Sequence, residues 1–213
     1  MKTVRIVLVV SAVALAFGVA AQAASGIKGS PHDFSGAAWM TEGEMCLPCH
    51  TPHNADEEIG YLWNHEVPAA TDFTVDSTNT VLGHSSLACL SCHDGVTAID
   101  SYSGNVGSIV MGDINPDAVI GRDLTDDHAV GVLYGTSTRR RQATLSGSTW
   151  VVKNGTITLR LNGSTKTTAR VECTTCHTPH TNDNGDFLRA SNAGSAICVT
   201  CHISQYDGST STP

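Results

Sequence analysis

All eight cysteines of this chain fall in one repeated unit, Cys-x-x-Cys-His. The four copies are Cys46 to His50, Cys89 to His93, Cys173 to His177 and Cys198 to His202. The spacing has a chemical purpose. Two thiols about one helical turn apart match the two vinyl-derived carbons on one edge of a porphyrin. The histidine that follows then lies under the iron as its proximal ligand. Competing readings fit less well. A zinc ribbon needs no histidine after each cysteine pair, and a thioredoxin-like redox site needs one pair, not four. The expected cofactors are therefore four covalently bound c-type haems. They are held by Cys46, Cys49, Cys89, Cys92, Cys173, Cys176, Cys198 and Cys201, with proximal ligands His50, His93, His177 and His202.

Six further histidines are available as sixth ligands: His32, His53, His65, His84, His128 and His180. After the apolar N-terminal run the only methionines are Met40, Met45 and Met111, and Met45 adjoins Cys46. The surplus of histidine favours bis-histidine irons, which have low potentials and no open position for a substrate. The expectation is an electron-transfer protein rather than an enzyme, with no catalytic residues.

An internal repeat narrows the choice. Glu44 to Asp56 reads EMCLPCHTPHNAD and Val171 to Asp183 reads VECTTCHTPHTND. Each is followed by an apolar patch, Tyr61-Leu62-Trp63 or Phe187-Leu188, and then by a second motif. His53 and His180 are equivalent in this alignment. His32 and His128 each precede one half. These four are the expected distal ligands. His65 and His84 have no counterpart and are read as solvated, or hydrogen-bonded near a propionate. Because a proximal histidine blocks one face of its own ring, His53 is expected to reach the His93 iron and His180 the His202 iron.

Other segments complete the reading. Lys2 and Arg5, the apolar run Ile6 to Ala20 and Ala21-Gln22-Ala23 form an export signal spanning 1–23. Cutting there leaves 190 residues with a net charge of −10, of which 36 are Leu, Ile, Val or Phe. That is below the roughly 20% typical of a folded chain, so composition alone reads as disorder. The acidic balance argues against nucleic acid, which needs a basic face, and no other stretch reads as a membrane span. The modules are taken as 24–100 and 171–213, each with two haem sites, separated by a Gly/Ser/Thr-rich insert at 101–170. Within the insert, Asn154-Gly155 joins Thr149–Val152 to Thr156–Leu161 as a β-hairpin. Arg139-Arg140-Arg141 is the only basic cluster. It is read as a solvated loop, the alternatives being propionate pairing or an acidic partner. Two glycosylation sequons, at Asn154 and Asn162, are treated as incidental. The expected fold class is a multihaem cytochrome c: mostly irregular coil, short helices at the CxxCH sites, a small β-hairpin, and a haem stack as core.

The phrases CLPCHTPHNAD, YLWNH, CLSCHDG, DLTDDH and CHTPH resemble the doubled-CxxCH multihaem cytochromes of metal-reducing bacteria. With an early Pro-His-Asp and four haem motifs, the chain is similar to the outer-surface tetrahaem cytochromes that polymerise into extracellular filaments. The resemblance implies a homopolymer in which one iron takes a histidine from the next subunit, His32 being the candidate donor here. It also implies outer-membrane or periplasmic electron donors, and extracellular acceptors such as metal oxides. The alternative reading is a monomeric periplasmic shuttle to a terminal reductase. Four porphyrins would replace the missing apolar side chains as a core. Haem-free protein is therefore expected to show no cooperative thermal transition by circular dichroism. A sharp transition would show that the side chains suffice.

Overall fold

The computed structural model describes residues 26–77 and 79–203. The expected export signal at 1–23 and the tail from Ser204 onward lie outside the described residues. Regular structure is sparse, and what there is lies at or against the motifs. Four helices are present among the described residues: α1 His84–His93, α2 Met111–Ile114, α3 Cys173–Cys176 and α4 Ala196–Cys201. Three of them, α1, α3 and α4, end on a motif. The first motif is a hydrogen-bonded turn, in which His50 N–H donates to the Cys46 carbonyl at 2.9 Å.

α1 is the longest helix. Its sequence, HSSLACLSCH, has no β-branched residue to restrict the preceding turn. Leu87, Ala88, Leu90 and the serines 85, 86 and 91 are buried. Asp94 ends the helix. Its carboxylate accepts the Val96 and Thr97 N–H groups (2.9 and 2.7 Å) and the Thr97 hydroxyl (2.9 Å). Gly95 then turns the chain at φ +72°, the left-handed stop that glycine takes without strain. Arg122 donates to the same carboxylate through Nε at 3.0 Å and a terminal nitrogen at 2.9 Å, and lies 3.6 Å from Asp72.

Two small sheets accompany the helices. Strands β2 (Thr144–Ser146), β3 (Thr149–Asn154) and β4 (Ile157–Arg160) form an antiparallel meander. The expected hairpin is β3–β4, but Asn154 pairs with Ile157, so its two-residue turn is Gly155-Thr156 and not Asn154-Gly155; Gly155 stands at φ +57°, and Val152 lies opposite Leu159, both fully buried. β2 extends the hairpin beyond the expectation. Strand β1 (Val132–Leu133) pairs with β5 (Arg170–Val171), which tethers the insert to the start of the second module. The side-chain core is thin and divided. One cluster joins Ile59, Trp63, Phe73, Leu82, Leu87, Leu90 and Leu124 around the first two motifs. The other joins Tyr134, Ala143, Val152, Leu161 and Val171, with Cys201 packed against it. Both clusters border motif cysteines.

Burial alone would raise the Asp94 carboxyl. The Val96, Thr97 and Arg122 donors outweigh it and hold the group below its ordinary value. A depressed carboxylate contributes stability above its unfolded pKa of about 3.9, and that stability is lost as pH falls through the lower folded value. Asp94→Asn is expected to cost about 1–3 kcal/mol at pH 7. In thermal melts the gap to the native protein should close below about pH 4.

Candidate functional site

Three of the four motif histidines are oriented by the same bond. His50 Nδ1–H donates to the Tyr61 carbonyl at 2.7 Å, His93 to Ala118 at 2.7 Å and His177 to Asp186 at 2.8 Å. A carbonyl can only accept, so Nδ1 carries the proton and Nε2 keeps its lone pair. This is the arrangement of a metal-ligating imidazole with its outer partner in place. The first and third motifs hold their acceptor in the same local fold. Thr51 N–H donates to Leu62 O at 2.9 Å, and Thr178 N–H to Phe187 O at 2.7 Å. Tyr61 and Leu62 stand at φ +55° and +57°, and Asp186 and Phe187 at +45° and +54°. Non-glycine residues in that region store about 1–3 kcal/mol each. Here the strain turns a carbonyl onto the imidazole. The repeat seen in the sequence is thus a repeat in geometry, with Trp63 and Leu188 in equivalent bridges to His50 and His177.

The fourth motif uses a different neighbour. Arg141 N–H donates to Cys201 O at 2.9 Å, and Ile203 N–H to Arg139 O at 3.0 Å. Arg141 Nε reaches the Val199 carbonyl at 3.2 Å, and the Arg140 guanidinium lies 5.3 Å from the Tyr134 ring centre. The basic triplet is therefore docked along this motif and is not the free solvated loop expected.

Histidines from elsewhere in the chain face three of the motif histidines. Ring centres are 6.2 Å apart for His32 and His93, 6.0 Å for His50 and His180, and 6.3 Å for His128 and His202. A metal bound by two imidazole nitrogens at about 2 Å each holds the ring centres about 6 Å apart. The candidate residues come together in partnerships that differ from those expected. His180 stands beside His50, not His202. His32, not His53, stands beside His93. The reason is tertiary packing. The loop with Pro179 and His180 folds back over the first module, and the N-terminal segment folds against it. His32 Nδ1 lies 3.4 Å from the Pro179 carbonyl, and its ring stacks on Phe187 at 4.1 Å. Burial lowers the His32 pKa, which favours the neutral, ligating form.

The remaining histidines separate clearly. His53 is exposed, and among the described residues no ring stands opposite His177 at the spacing of the other three pairs. His84 is exposed at the start of α1. His65 is only 4% exposed, donates from Nδ1 to the Glu66 carbonyl at 2.8 Å and sits 3.6 Å from Cys92 Sγ. It is a buried, bonded group and not a solvated one.

No disulfide joins any of the eight cysteines. Burial pushes Cys49 up to about 11, aided by Cys46, and Cys92 up to about 12, aided by Cys49. Cys176 also rises to about 11 through burial and the nearby Cys201 and Cys198. Among the described residues no three His, Cys, Asp or Glu side chains converge on one metal position. Two imidazoles per position suit an iron that brings four ligands of its own. The residues present therefore fit a c-type haem.

The sites also form a series. Cys49 lies near Cys92, Cys89 shares a hydrogen bond with Cys173, and Cys176 neighbours Cys201. Glu172 joins the middle two. Its buried carboxylate accepts the Gly83 N–H at 3.1 Å and the Ser86 hydroxyl, and Ser86 Oγ in turn accepts the Cys173 N–H at 3.1 Å. Burial drives the Glu172 pKa upward despite these donors. The carbonyl acceptors and Glu172 were not found by sequence reasoning. Backbone carbonyls leave no residue signature, and only the repeated apolar patch marked where two of them lie.

A family model described as the doubled CXXCH motif matches residues 166–206. No curated protein matches the sequence. The match covers the third and fourth motifs and supports multihaem c-type cytochrome character. The matched segment supports haem binding by paired CxxCH units. Among the described residues no helix is long and apolar enough to cross a membrane.

The altered pairing has a direct test. His180→Ala is expected to convert one iron to high spin by electron paramagnetic resonance. Removing the first site (Cys46→Ala with Cys49→Ala) in that background should abolish the signal. Removing the fourth site (Cys198→Ala with Cys201→Ala) should leave it. The reverse pattern would restore the sequence-based pairing.

Proposed function

We propose that this protein is a tetrahaem c-type cytochrome that carries electrons through bis-histidine haems, as a subunit of an extracellular homopolymer. The observation that carries the reading is the set of three imidazole pairs at 6.0–6.3 Å, each joining a motif histidine to one remote in sequence. When bound, the haem irons supply one-electron ferric–ferrous couples. The chain's own part is to anchor, orient and shield. The cysteines would hold the haems, the carbonyls of Tyr61, Ala118 and Asp186 orient the motif imidazoles, and the paired histidines would ligate the irons. Paired imidazoles at three of the four motifs would leave those irons no open position for substrate, which favours electron transfer over catalysis.

The polymer reading has its own support. Within the chain, His180 of the second module serves the first motif of the first module. By the internal repeat, His53 of the first module would serve the third motif of a second copy. His177 has no ring partner of its own chain among the described residues, and His53 is exposed. A donor on one module and an acceptor on the other make a head-to-tail contact, which generates open filaments when the rotation does not close. His53 thereby replaces His32 as the bridging ligand, since His32 is engaged with His93 and Pro179. Export to the cell surface, outer-membrane or periplasmic donors and mineral acceptors follow from the family resemblance.

Two measurements on secreted native material test this. Pyridine haemochrome assay is expected to return four haems per chain, and negative-stain microscopy is expected to show filaments. His53→Ala should then give dispersed subunits with one high-spin iron. Monomers with four low-spin irons would instead support a soluble periplasmic shuttle.

A further inference from the structure

Two buried indole nitrogens have no hydrogen-bond partner among the described residues: Trp63 Nε1 and Trp150 Nε1. An indole N–H is a donor only, and leaving one buried and unpaired is costly enough to be rare in folded proteins. Both lie beside candidate haem sites. Trp63 is 9% exposed, and its ring stands edge-on to the His50 imidazole with centres 6.1 Å apart. Its backbone bridges His50 and Asp56, so the indole is fixed against the first site. Trp150, on β3, packs in the same apolar cluster as Cys201 of the fourth site. The two orphan donors thus sit at the first and last members of the series of sites.

A bound haem offers few acceptors. Its pyrrole nitrogens are committed to iron, its thioether edge is apolar, and its only anionic groups are two propionate carboxylates. We propose that Trp63 Nε1–H, at the first site, and Trp150 Nε1–H, at the fourth, donate to haem propionates. This rests on the haem reading above. The two tryptophans would act as positioning residues, tying down the edge of the ring opposite the cysteines. A charge-assisted bond of this kind satisfies the buried donor and offsets part of the carboxylate's negative charge. Undiminished negative charge near an iron favours the ferric state. Loss of the N–H should therefore make that haem harder to reduce. A donor held on a carboxylate also favours its ionised form, so loss of the donor should raise the propionate pKa.

The test uses the native holoprotein and Trp63→Phe, which removes the N–H and keeps most of the ring. Haem is counted first by pyridine haemochrome. With the full haem complement in both proteins, the variant is expected to show a shifted propionate-bending band in resonance Raman. One component of its spectroelectrochemical titration should move to more negative potential, and the pH at which that component breaks should move upward. An unchanged band with unchanged titration would overturn the proposal. If the variant fails to load haem, nitrogen-15 NMR of the reduced native protein decides. Slow solvent exchange of the Trp63 and Trp150 indole protons supports the proposal, and exchange as fast as that of a free indole overturns it. A native protein with fewer than four haems would instead contradict the function proposed above.

Discussion

The separation of about 6 Å between paired imidazoles is the constraint on which the rest of the structure depends. It is too wide for the two rings to touch, and it repeats at three places between segments remote in sequence. Holding it requires the N-terminal segment with His32, the second-module loop with His180 and the acidic segment with His128 to converge on motifs far away in sequence. The sheets, turns and ion pairs serve that convergence. β1–β5 ties the insert to the second module, Glu172 ties α1 to α3, and Asp94 with Arg122 fixes the chain as it leaves His93.

Local strain is placed where it positions a ligand. Tyr61, Leu62, Asp186 and Phe187 occupy left-handed backbone that their side chains do not favour, and in return carbonyls point at His50 and His177. Such geometry persists only where the surroundings over-determine it. A thin apolar core split into two clusters provides little of that by itself, which accords with covalently anchored porphyrins as the filling of the fold.

Much of this was legible in the sequence. The CxxCH units are defined by residue type and spacing, so they needed no tertiary information. Asn154-Gly155 between alternating apolar residues marked the β3–β4 hairpin, and the EMCLPCHTPHNAD and VECTTCHTPHTND phrases marked the module repeat. The distal pairings were not legible. A histidine three residues after a motif shows that a ligand is at hand, but which iron it meets depends on how the modules pack. For His65 the solvated alternative fails and the hydrogen-bonded one stands, because its burial comes from packing against Cys92, which its neighbours in sequence do not show. β2 was missed because Thr144–Ser146 is exposed throughout and carries no alternation.

The central claim is that imidazole–iron–imidazole links organise this chain. Near-infrared magnetic circular dichroism of the fully oxidised native protein tests it most directly, because the charge-transfer band reports the axial ligand pair of each low-spin ferric haem. The account predicts only the bis-histidine band, with an intensity matching the whole haem content. A methionine–histidine band, or a high-spin component in the native assembled protein, would contradict it.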